Sequence, residues 1–239
     1  MKNIYKTLLI ILFVFISSVV EAGPNRYWVA VDDGTDKMWD NTANWSETSG
    51  GYEGATAPVT ANLVANFDGN SIVNVKLGAD VNKARKIIVR AGYSGTINLN
   101  GYHLASKNNI ALYGGTVLVP ANSFLQTWGD LYIYEGGTVT ASGDGKIKVK
   151  GNVHIRGKLT APGGDNTRFV VHGGFNVYDD DSGSGIFNHS NGTVTFSTKG
   201  TGHAINIVGE GNFYNIYKNA QKHLILSKPI EVENNLTNI

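Results

Sequence analysis

The chain has 239 residues, with 30 glycines, five prolines and no cysteine, and its 20 basic and 19 acidic residues nearly cancel. Without cysteine there is no disulfide framework and no thiolate metal site. A balanced charge gives no sign of a nucleic-acid partner, which would want a basic patch, and the length is enough to bury a core.

Lys2 and Lys6 precede an unbroken apolar run from Leu8 to Ile16, followed by SSVVEA. That order is the signature of a signal peptide over residues 1–22, with Val20 and Ala22 at the −3 and −1 positions and cleavage before Gly23. The run is too short to span a bilayer comfortably. The expected location is therefore outside the cell or on its surface. The mature chain holds 18 basic and 18 acidic residues.

Residues 23–70 carry three of the four tryptophans, Trp28, Trp39 and Trp45. The segment lacks the rhythm found further on. Two readings are open. The tryptophans form the core of an N-terminal cap over the first strands, which need their edge covered, or they offer flat faces on which a carbohydrate stacks.

From residue 71 onward the chain repeats. Ile110, Leu131, Val153 and Phe175 form one series with steps of 21 and 22 residues. Leu104, Leu125, Ile147 and Phe169 form a second, and Ile97, Val117, Val139 and Leu159 a looser third. Around each position apolar and polar residues alternate, as in LYIY and VHIR, which is strand patterning with one wet face. Gly, Asn and Asp fill the gaps, where turns need them. Three interleaved series with one period predict an all-β fold. The expected form is a right-handed parallel β-helix (a β-solenoid) with about 22 residues and three short strands per coil. An evenly spaced β-sandwich is the competing fold. The rhythm lapses between Leu159 and Val194, where YDDDSGSGIFNHSNG reads as a loop or hairpin leaving one rung. At the C-terminus Leu224, Leu226, Ile230, Val232 and Leu236 are the expected inward positions. No terminal plug is legible there, so the solenoid is expected to run on past residue 239 or to pair end to end with a partner.

Outward positions stacked one coil apart on the first series are Tyr132, His154 and Asn176, and beside them Tyr134, Arg156 and Tyr178. The set Tyr132, Tyr134, His154, Arg156 and Tyr178 is a candidate ligand strip, with no carboxylate pair in register for acid–base work on a polysaccharide. Asp144 and Asp165 read as corner turn residues. Asp179, Asp180 and Asp181 are an oxygen-rich acidic stretch of the kind that suits calcium, without the full calcium-loop spacing. No other cofactor is indicated. The six histidines form no local pair for metal binding, and no nucleophile elbow, phosphate loop or dinucleotide fingerprint occurs.

The stretch WDNTANWSETSGG, followed by Pro58 and by NFDG at 66–69, resembles the start of large exported bacterial surface proteins. Trp45, Ser46, Gly50, Gly51, Pro58, Phe67 and Asp68 carry the likeness, while Asn62 stands nearest to a position where that pattern has Asp. GIFNHSNGTVTF is similar to their repeats. The resemblance implies a parallel β-helix of adhesin or autotransporter-passenger type and implies no enzyme. The expected function is thus a noncatalytic secreted or cell-surface solenoid, adhesin-like or structural, with glycans or other cell-surface molecules as partners. The alternative is a carbohydrate-binding or polysaccharide-active β-helix.

Overall fold

The computed structural model describes residues 24–181, 183–197, 203–207, 211–219, 224–226 and 230–238. The expected signal peptide, residues 1–22, lies outside them. Among the described residues the chain is a β-solenoid with three walls. The first wall stacks Asn25–Trp28, Val64–Phe67, Lys86–Val89, Ile110–Leu112, Leu131–Ile133, Val153–Ile155, Phe175–Val177, His203–Ile207 and Leu224–Leu226. The second stacks Lys37–Met38, Val75–Lys76, Thr96–Asn98, Thr116–Val119, Thr138–Ala141, Lys158–Thr160 and Ile186–Asn188. The third stacks Val81–Ala84, His103–Ser106, Phe124–Thr127, Lys146–Val149, Gly164–Val171, Gly192–Ser197, Phe213–Asn219 and Val232–Asn238.

The walls follow from the repeat. Strand pairing is parallel within each wall, and the three series are the three inward columns. Ile110 pairs with Leu131, Leu131 with Val153 and Val153 with Phe175. Leu104, Leu125, Ile147 and Phe169 pair in the same way, as do Ile97, Val117, Val139 and Leu159. All twelve side chains are buried. A one-residue slip would turn each of them to water, so burial specifies the register.

A column of glycines shapes the corner between the first and second walls. Gly95, Gly115, Gly137, Gly157 and Gly185 each precede a second-wall strand in successive rungs. A Cβ on Gly157 would lie 2.3 Å from the carbonyl oxygens of Gly137 and Tyr134, and one on Gly185 would lie 2.2 Å from that of Ile155. The chain turns so sharply here that only glycine fits between rungs.

The lapse in rhythm is a hairpin. Asp179–Asp180 pairs antiparallel with Gly183–Ser184 and projects from one rung. The third series therefore resumes at Phe187, which sits on Leu159. Val194 instead continues the second series, above Phe169.

Within the expected cap, residues 24–70 enter the stack directly, since Asn25–Trp28 and Val64–Phe67 are adjacent first-wall rungs. The outer edge of Asn25–Trp28 is covered by Trp45–Ser46, which pairs with it antiparallel and so blunts an exposed strand edge. Trp28, Trp39 and Trp45 are all fully buried and pack with Phe67 at ring separations of 5.1–5.8 Å. This corrects the carbohydrate-stacking expectation: the ring faces are spent on one another and on the core.

At the other end Ile230 and Val232 pack partly buried against the core. Leu236 lies over Ile216 in the inward column but is 64% exposed, which corrects its expected burial. No further rung among the described residues covers it. The side chains of Leu224 and Leu226 lie outside the description.

Candidate functional site

The outer face of the first wall brings the five predicted strip residues together. Backbone pairing places Tyr132, His154 and Asn176 in one column. Tyr113, Tyr134, Arg156 and Tyr178 form the neighbouring column, one per rung. Rungs about 4.8 Å apart hold flat rings at stacking distance. Tyr132 stacks on His154 with centroids 4.6 Å apart and planes 5° apart, and Tyr113 on Tyr134 at 4.2 Å and 6°. Each stacked pair thus covers one face of each of its two rings.

The polar tips are also engaged. His154 Nδ1 shares a hydrogen bond of 2.8 Å with the Tyr178 hydroxyl. The Tyr132 hydroxyl donates to Asp130 Oδ2 at 2.8 Å, which pushes its pKa up to about 12. The Arg156 guanidinium lies 3.9 Å from the centre of the Tyr178 ring and meets the Asp180 carboxylate through both Nε and a terminal nitrogen. That pair ties the hairpin to the wall.

Asp130 was not legible as part of this face. It belongs to a corner ladder in which Asn109, Asp130 and Asn152 each accept a hydrogen bond from a backbone N–H one rung higher, at 2.7–2.9 Å. Its second oxygen is what reaches Tyr132. Tyr113 was missed as well, although its spacing from Tyr134 is the repeat itself. Asp144 behaves as expected at its corner, accepting from the Asn122 N–H at 2.7 Å.

Of the acidic stretch, Asp179 and Asp180 lie in the first strand of the hairpin and Asp181 in its turn. Asp180 faces Arg156. Among the described residues no three His, Asp or Glu side chains converge in a group that could hold a metal ion.

Between the hairpin and the glycine corner lies an open cleft of about 450 Å³, lined by Glu135, Thr138, Arg156, Lys158 and Ser184 together with corner glycines. Glu135 is a further residue that the sequence did not single out. It follows Tyr134 in a turn, where an acidic residue carries no distinctive signal.

Burial of the ring holds His154 below the ordinary imidazole value, against an opposing pull from Asp130, and burial does the same to His103. The unfolded chain takes up these protons near pH 6.5 and the folded chain only below it. The contribution of these two groups to stability is therefore complete above about pH 6.5 and is lost as the pH falls through their lower, folded-state values. Thermal melts should show a lower Tm at pH 5 than at pH 7.5, with a smaller drop in His154→Gln. An identical drop in that variant would remove His154 from the account.

Compared with protein-family models, with curated proteins and with solved structures, the chain finds no match in any of the three. The fold and the face described above define it as a β-solenoid, and they are what bears on its function.

Proposed function

We propose that this chain is a noncatalytic, exported β-solenoid that acts on the cell surface or in the surrounding medium as an adhesin-like or structural element. One observation carries the reading. Of the carboxylates beside the strip, Asp130 (between Asn152 and Tyr132) and Asp180 (on Arg156) are committed to holding the wall together, which leaves Glu135 as the single acidic residue lining the adjacent cleft. A glycosidase or lyase needs carboxylates that are available to take and give protons at the substrate. The signal-peptide pattern and the resemblance of WDNTANWSETSGG to exported surface proteins support the same reading.

The cleft favours the alternative of carbohydrate binding, since Glu135, Arg156 and Lys158 supply polar groups of both signs beside the Tyr178 ring. A reducing-sugar release assay across a polysaccharide panel, run beside glycan-array binding, separates the possibilities. The expected result is no release. Release that is abolished by Glu135→Gln would overturn the noncatalytic reading, whereas array binding lost in Arg156→Ala without any release would add a ligand to it.

A further inference from the structure

The near-zero net charge conceals a strong segregation. Residues 24–80 hold three basic and eight acidic residues, whereas residues 81–158 hold ten basic and three acidic. The fold gathers much of this excess on the third wall and on the corner where it meets the first. In Lys146–Val149, Ile147 and Val149 point into the core, so Lys146 and Lys148 point outward. Lys107, Trp128 and Lys150 follow the third-wall strands of three successive rungs at that corner. Lys107 and Lys148 form no ion pair among the described residues. Trp128 is 40% exposed, unlike the buried tryptophans of the first rungs, and Lys83 places its ammonium 5.7 Å from the centre of the Trp128 ring.

We propose that this face binds an extended acidic polysaccharide. Lys107 and Lys148 stand two rungs apart, about 10 Å along the axis, with the rung that carries the indole between them. A linear glycan that bears carboxylates at intervals can lay them near these cations and rest the apolar face of an intervening sugar on Trp128. The straight wall suits an extended chain. Duplex nucleic acid carries about one charge per 1.7 Å and offers no ring face to a flat wall, so it matches this sparse pattern poorly. The site is separate from the first-wall cleft, and its failure would leave the noncatalytic reading in place.

The test is binding of the full chain to hyaluronan, polygalacturonate, neutral dextran and duplex DNA, at low and at high salt. The acidic polysaccharides should bind, more weakly as salt rises, and dextran should not. The double variant Lys107→Gln/Lys148→Gln and the single variant Trp128→Ala should each lose about tenfold in affinity, since the first removes charge and the second the central aromatic contact. Unchanged melting curves verify that these surface variants are folded. Lys146→Gln/Lys148→Gln replaces the double variant if it is not folded. Absence of binding to both acidic polysaccharides, equal binding of dextran, tighter binding of DNA, or full affinity in the folded variants would overturn the proposal.

Discussion

Val153→Asp should destabilise the protein by about 4 kcal/mol or more, because it sets a carboxylate without a partner in the core. Val153 is fully buried, between Leu131 in the rung below and Phe175 in the rung above. In a chain of this size the loss corresponds to a fall in Tm of roughly 10 °C. The adjacent residue provides the control. His154→Asp stays at the surface, where it gives up a ring stack and the Tyr178 hydrogen bond and gains a like-charged neighbour in Asp130. Its expected cost is about 1–2 kcal/mol. Paired urea melts of the two variants decide the point. Equal costs would refute the alternation of inward and outward positions, and a larger cost at 154 would invert it.

Trp45→Ala should cost about 3–5 kcal/mol, the range for removing a large aromatic from a core. Its ring packs edge-on against Trp28 and Trp39, both at 5.1 Å, and against Phe67 at 5.5 Å. Its indole N–H donates to the Trp39 carbonyl at 2.6 Å, so truncation also strips that buried acceptor of its donor. The same residue lies in the strand that covers the first rung, so its loss should loosen the end of the stack as well. Thermal melts followed by tryptophan fluorescence would report both effects. A variant with wild-type Tm but weakened carbohydrate binding would restore the stacking role that burial has taken away.

The solenoid was legible because its physics repeats. Each coil must present apolar side chains to the same interior, so Leu131, Val153 and Phe175 recur at the coil length and their register can be read by counting. Where counting fails, the cause is local. The hairpin at Asp179–Ser184 adds residues to one coil, which moved the next inward position to Phe187 and made Val194 look like its continuation. The strip could be found because Tyr132 and His154, and likewise Tyr134, Arg156 and Tyr178, obey the same period. What the strip does could not be found that way. Whether a tyrosine shows its face or its edge depends on the ring one rung away, and whether Asp180 is available depends on a hairpin folding back onto Arg156. The tryptophans illustrate the limit from the other side. A Trp-rich, Gly-rich segment has the composition of either a binding platform or an end cap, and only the packing of Trp28, Trp39 and Trp45 around Phe67 separates them. The charge segregation was hidden for a simpler reason, as the acidic residues of 24–80 cancel the basic ones of 81–158.

In this solenoid, sequence positions one coil apart are spatial neighbours one rung apart. Because the chain contains no cysteine, pairs of introduced cysteines can be spin-labelled cleanly. Thr96, Thr116, Thr138 and Lys158 occupy the same register position in four successive second-wall rungs, the threonines partly exposed and Lys158 exposed. With one nitroxide fixed at Lys158 and the other moved to 138, 116 and 96 in turn, electron paramagnetic resonance should show the separation growing by about 4.8 Å at each step. A series that alternates, or that stays constant within the spread of the labels, would contradict the stacked coil and with it every column of side chains described above.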